Sequence, residues 1–249
     1  MNRWILATLA TGTLGSAAIA EDQTPTAPVD ALALSRFSVT EEINFFNLES
    51  TNVTQFLSTV NWETPITDLS ASLTMPVYTD GNTGAGMLDL GVDWTALHNP
   101  VSFVETLTLG LDLKLPTSSA GFGGDGVNPV LSAGSTGTTP VEGLRWNAGA
   151  GWEWNTEGDY IPVFGGFTEA DILSVNGGLE YGLTKTLEVQ ANYGFWYLDT
   201  GANVNTIGPA LQWTPCHNAE LGFRCDIPFS NNEAPELELI VGFTAGIRF

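Results

Sequence analysis

Residues 236–249, Glu-Leu-Glu-Leu-Ile-Val-Gly-Phe-Thr-Ala-Gly-Ile-Arg-Phe, end the chain, and their alternation decides the fold. Read back from Phe249, every second position is Ile247, Ala245, Phe243, Val241, Leu239 and Leu237. The interleaved set is Arg248, Gly246, Thr244, Gly242, Ile240, Glu238 and Glu236. A strict period of two means a strand with one apolar and one polar side. At ~3.3 Å per residue and a tilt of ~45°, this stretch is long enough to cross a bilayer. The expectation is an all-β, transmembrane, antiparallel up-and-down barrel whose closing strand ends in the aromatic Phe249. A terminal aromatic strand of this kind resembles the signal by which outer-membrane proteins reach the barrel-assembly machinery.

The N-terminus agrees with export. Arg3 sits in a short basic segment, Trp4–Leu14 is mostly apolar, and Ala18-Ile19-Ala20 is a small-x-small cleavage site, so residues 1–20 read as a signal peptide. No other segment has the ~18 consecutive apolar residues of a membrane helix. Residues 21–35 are polar and contain proline, and they read as a periplasmic leader or a small plug. Residues 36–249 then form the barrel, in the outer membrane of a Gram-negative cell and in contact with its lipid. The whole chain carries 28 acidic residues against 7 basic ones. That balance excludes a nucleic-acid partner, which needs a basic footprint.

Working back along the chain, alternation marks strands at 37–48, 53–62, 68–78, 86–97, 102–115, 143–155, 171–183, 186–198, 204–214, 218–229 and 236–249. His98-Asn99-Pro100 is expected as the tight turn after the fourth of these. Eleven is odd, and two periplasmic termini require an even number. A twelfth strand therefore lies in 125–136 or 159–167. The first is preferred, which leaves 159–167 as an apolar extracellular loop able to fold over the mouth. The aromatics sort into two belts. One, expected at the periplasmic interface, comprises Trp62, Trp94, Phe103, Trp146, Tyr181, Trp213 and Phe249. The other comprises Trp152, Trp154, Phe195, Tyr197 and Phe229.

The opposite faces line the lumen. They carry Glu42, Asp89, Asp93, Asp112, Glu153, Glu180, Glu188, Glu220, Asp226, Glu236 and Glu238 against Lys114, Arg145, Arg224 and Arg248. Inward glycines, among them Gly149, Gly194, Gly242 and Gly246, are expected to leave space. Glu180 and Glu188 fall near one another, with Arg145 as the expected partner of Glu180. His98 and His217 read as turn residues, so no catalytic set is assigned. Acidic, glycine-containing tips such as 80–82 read as turn chemistry rather than metal loops, and no cofactor is expected. Cys216 and Cys225 are separated by too much extended chain to bridge.

Several stretches resemble one family of outer-membrane transporters, named for the meta-cleavage pathway of phenol degradation. They are 86–92 (Gly-Met-Leu-Asp-Leu-Gly-Val), 109–117 (Leu-Gly-Leu-Asp-Leu-Lys-Leu-Pro-Thr) with the Gly-rich loop after it, 207–213, the 226–236 hairpin and 246–249. The likeness covers roughly residues 68–249. Pro116-Thr117-Ser118 departs from it, lacking the glycine usual after Pro-Thr. The resemblance implies a barrel that passes small compounds, hydrophobic ones among them, and it carries no catalytic motif. Two functions follow from the residues and this likeness. One is a channel for small molecules, hydrophobic or cationic, through an acidic, glycine-rich lumen. The other is a closed structural or adhesive barrel whose loops bind a partner.

Overall fold

The computed structural model describes residues 36–249 except 50, 51, 65, 67, 81, 102, 118–121, 123 and 233–236, with backbone only at 230–232. The expected signal peptide, the leader and Glu236 lie outside the described residues.

Twelve strands form the wall. They are β1 (Arg36–Leu48), β2 (Asn52–Glu63), β3 (Leu69–Thr79), β4 (Leu88–Val101), β5 (Val104–Leu115), β6 (Asn128–Thr138), β7 (Leu144–Glu153), β8 (Ile172–Gly182), β9 (Leu187–Leu198), β10 (Asn203–Cys216), β11 (Ala219–Asn232) and β12 (Leu237–Arg248). Each is antiparallel to its neighbour in sequence, and β1 also pairs with β12, from Ser38 opposite Arg248 to Leu48 opposite Leu237. The chain is therefore a closed barrel with no free edge, the condition for a sheet in lipid, where an unpaired backbone group costs several kcal/mol. The twelfth strand is Asn128–Thr138, within three residues of the preferred choice. Residues 159–167 contribute only two three-residue strands, Asp159–Ile161 and Gly166–Thr168, paired with each other and with none of the wall.

The outer surface is apolar. Phe45, Phe56, Val60, Leu73, Leu90, Leu111, Leu131, Leu179, Leu211, Phe223 and Phe243 are all exposed on it. At the end with the short turns stand Trp62, Trp94, Phe103, Tyr181, Trp213 and Phe249, also exposed. Trp146 lies among them, half-buried, donating through Nε1 to the Phe103 carbonyl at 3.1 Å. The backbone N–H of Phe249 donates to the carbonyl of Phe37 at 2.8 Å, which ties the last residue to the first strand.

Two details differ from the alternation. His98-Asn99-Pro100 is not the turn. β4 runs on to Val101, with pairing shifts between Thr95 and Leu97 and between His98 and Val101, and Asn99 at φ 47°. An irregularity of this kind absorbs an extra residue, so the chain reverses about three residues later than turn chemistry suggests. His98 instead meets Asp68 in the neighbouring turn, Nε2 to Oδ1 at 2.7 Å. In β12 the pairing with β1 shifts between Asn47 and Leu48, which puts Leu237 in the interior and leaves Glu238 exposed, bonded by Asn47. Cys216, at the end of β10, and Cys225, within β11, are both free thiols.

Close backbone approach makes one glycine indispensable. A Cβ on Gly208 in β10 would collide with the carbonyl oxygen of Cys225 and the Cα of Asp226 on β11. Gly134→Ala would meet nothing nearer than the Ala148 carbonyl at 3.9 Å. Gly208→Val is expected to prevent formation of the compact, heat-modifiable band in gel electrophoresis, and Gly134→Ala to leave it intact. Equal folding of both would show that the β10–β11 approach is looser than described.

Candidate functional site

The interior has three levels. At the long-loop end, inward side chains are apolar and join residues of the 154–171 loop. Phe46 and Leu48 on β1, Val53 on β2, Tyr78 on β3, Trp196 and Leu198 on β9 and Val204 on β10 are buried against Tyr160, Ile161, Val163 and Phe164. The rings of Tyr78, Phe122 and Tyr160 form a triad with centroids 4.9–5.6 Å apart. Burial also pushes the Tyr160 phenol up to about 12. The apolar loop expected over the mouth is thus packed inside it. Pro162–Phe164 make one 3₁₀ turn, ended by Gly165 at φ 69°, which reverses the chain back towards the wall.

One lysine holds this loop. Lys114 Nζ on β5 donates to both carboxylate oxygens of Glu153 at 2.7 and 2.8 Å and to Asp159 Oδ2 at 2.6 Å. All three residues are buried, Glu153 completely. Two amides complete the clamp. Asn128 Nδ2 donates to Asn155 Oδ1 and to the Gly158 carbonyl, and Asn155 Nδ2 donates to the Thr168 carbonyl. Removing the cation would leave two buried carboxylates facing each other.

The middle level is a polar belt. Arg224 on β11 donates to Glu42 Oε1 at 3.2 Å and to Asn44 Oδ1 at 2.8 Å, and its Nε stands 3.8 Å from Asp226. Asn44 passes the chain to Gln55, and Gln55 to the Tyr78 hydroxyl. Asp89 and Asp112 are buried on the same inner face, with Asp93 half-buried below. The inward glycines are not empty space. A Cβ on Gly242 would meet Arg224 and Asn44, each at 2.7 Å; on Gly149, Asn176; on Gly194, the Trp196 ring; on Gly246, Glu220. Each lets a neighbouring strand's side chain, or in Gly194's case one of its own strand, lie flat against the wall.

The third level, at the short-turn end, is a polar vestibule of about 340 Å³. Arg145, Lys185, Glu188, His217, Glu220 and Arg248 line it, so the mouth is far more evenly charged than the chain as a whole. Arg248 pairs loosely with Glu220 at 3.8 Å. Arg145 is opposite Glu180 in register, but its ion pair is with Glu105 at 3.4 Å, while Glu180 accepts from Asn147 at 2.6 Å. Glu180 is buried and Glu188 half-buried.

Sequence reasoning missed the residues that hold the loop, Asn128, Asn155, Asp159 and Tyr160. One signal was available. The loop-end stretches Phe45-Phe46 and Phe195-Trp196-Tyr197-Leu198 are apolar on both faces, where a water-filled mouth would keep alternating.

Known structures share this architecture. Similar ones include the COG4313 outer membrane channel from Pseudomonas putida F1, at 11% identity and a TM-score of 0.60 over 93% of this chain and 100% of that one. The NanC porin matches at 9% and 0.56 over 85% and 98%, and the CymD monoaromatic hydrocarbon channel at 8% and 0.50 over 86% and 88%. At such identities the likeness is one of fold. A search of curated proteins gave no match. The sequence itself is matched over residues 20–233 by a family model, and the chain belongs to the family described as "Putative MetA-pathway of phenol degradation".

Proposed function

We propose that this barrel is an outer-membrane channel for small molecules, closed at its outer end by the 154–171 loop. The observation that carries the reading is the unequal filling of the interior. A cavity opens at the short-turn end, while at the opposite end the 154–171 loop, held through Lys114, fills the interior together with Phe122. A barrel built only as a scaffold has no need of a separate loop drawn inside. The termini and short turns face the periplasm, as does the Trp62–Trp213 belt, and the C-terminal strand is the segment read by the assembly machinery. The buried carboxylates and Lys114, Arg145, Arg224 and Arg248 line the pathway. The permeants are small and either hydrophobic, suited to the aromatic cap, or cationic, suited to the acidic belt. The likeness in fold to outer-membrane channels and porins supports transport rather than catalysis.

A second reading rests on the bonded chain Arg224–Asn44–Gln55–Tyr78, which joins residues of four strands across a fifth and would suit a closed structural barrel whose loops bind a partner.

Planar-bilayer recordings separate the two. Deleting residues 159–167 is expected to raise single-channel conductance severalfold over the full-length protein. If neither protein conducts, the closed barrel is correct. Lys114→Met is expected to lower stability by about 3–5 kcal/mol in urea unfolding, the usual cost of breaking a buried ion pair, and to expose the loop to protease. Unchanged proteolysis would mean that packing alone holds the loop. For orientation, a cysteine at Gly201 should react with an impermeant thiol reagent on intact cells and one at Lys185 should not. The reverse pattern would invert the barrel.

A further inference from the structure

The inner faces of β8 and β9 bring two carboxylates and an amide together just inside the vestibule. Glu180 and Gln190 are direct cross-strand partners, and Glu188 is the partner of Gly182. Glu180 and Glu188 are therefore diagonal neighbours on one face, ~7–8 Å apart at Cα. Each is held from the side by an amide. Asn147 donates to Glu180 Oε1 at 2.6 Å, and Gln190 Nε2 donates to Glu188 Oε1 at 2.8 Å. Gln190 Nε2 also donates to Gln212 Oε1 at 3.2 Å. With its nitrogen committed twice, the carbonyl oxygen of Gln190 has no hydrogen-bond partner, although the residue is only 5% exposed. Gln190 lines a small recess of about 60 Å³ that shares Thr40, Gln212 and Glu220 with the vestibule. On the vestibule side, Gly182 stands beside Glu188, and a Cβ there would meet nothing nearer than the Thr184 carbonyl at 3.9 Å.

We infer that Glu180, Glu188 and Gln190 form a binding station for a hydrated hard cation, calcium being the best fit, reached from the vestibule. The donor set is all oxygen, with two charges and one neutral carbonyl, which suits a hard cation and not a soft transition metal. No group of three His, Cys, Asp or Glu side chains converges among the described residues. The protein therefore supplies only part of the shell and water the rest, for which the vestibule has ample volume. Arg145 and Lys185 line the same vestibule and oppose a cation there, so binding is expected in the ~0.1–1 mM range of the weaker calcium sites. Access depends on the interior being open at the short-turn end, and in that sense the station rests on the pathway reading.

Calorimetric titration of calcium chloride into the detergent-folded full-length barrel tests the station without any measurement of conduction. Sub-millimolar to millimolar binding is expected, weakened about tenfold by Glu188→Gln, which removes one of the two charged ligands. The Glu180→Gln/Glu188→Gln pair should abolish it, and Glu157→Gln, in an exposed part of the loop, should not change it. Heat-modifiable mobility of each variant confirms folding, and the half-buried Glu188→Gln serves if Glu180→Gln does not fold. No calcium binding by the parent protein, or equal binding by the folded Glu188→Gln variant, overturns the inference. A barrel that binds calcium but never conducts keeps the station and removes the channel. A conducting barrel indifferent to calcium does the reverse.

Discussion

The pairing of β1 with β12 is the constraint on which everything else depends. In hydrocarbon no water replaces a missing backbone partner, so the sheet must close. Closure fixes the strand number, and with it the inward or outward direction of every side chain. The two terminal strands meet from Ser38–Arg248 to Leu48–Leu237, and the last residue adds one more bond to Phe37. One shift, near Leu48, turns Leu237 inward, and that leucine joins the cap at the loop end. The same pairing that seals the wall therefore supplies part of the apolar cluster at the loop end.

Inside, the chain solves the problem of a twelve-strand interior by dividing it. Inward polar groups remain where they can bond each other or reach the vestibule. Where the strands carry apolar residues on both faces, a loop is drawn in to bury them. The loop's polar backbone would be costly to bury alone. Asn128 and Asn155 satisfy its carbonyls, and Lys114 neutralises the carboxylate it brings. The cap is thus a local hydrophobic core, joined to the wall by the Lys114–Asp159 ion pair and by Asn128, and braced from within by Asn155.

Glycine has a different part from the one composition suggests. At Gly242 and Gly149 the missing Cβ is filled by Arg224 and Asn44, or by Asn176, from the adjacent strands. These glycines let long polar side chains lie along the wall and bond sideways. At Gly182, by contrast, the missing side chain leaves open volume, next to Glu188.

The sequence alone determined the fold class, the number of strands and the exposed face. Each depends on a period of two that any stretch such as 236–249 or 107–115 displays by itself. The count of twelve needed only the added demand of parity, which left 125–136 or 159–167 as the missing strand; the structure has it at Asn128–Thr138. The tertiary structure decided what fills the barrel. Lys114 finds Asp159, 45 positions away, and Arg145 turns to Glu105 although Glu180 is opposite it in register. No local pattern encodes such partners, because they meet across strands and loops only after closure. The direction taken by residues 159–167 has the same cause. Their apolarity said that they must be buried, but only the assembled barrel, with Tyr78, Trp196 and Phe46 already facing inward at that end, provided the place.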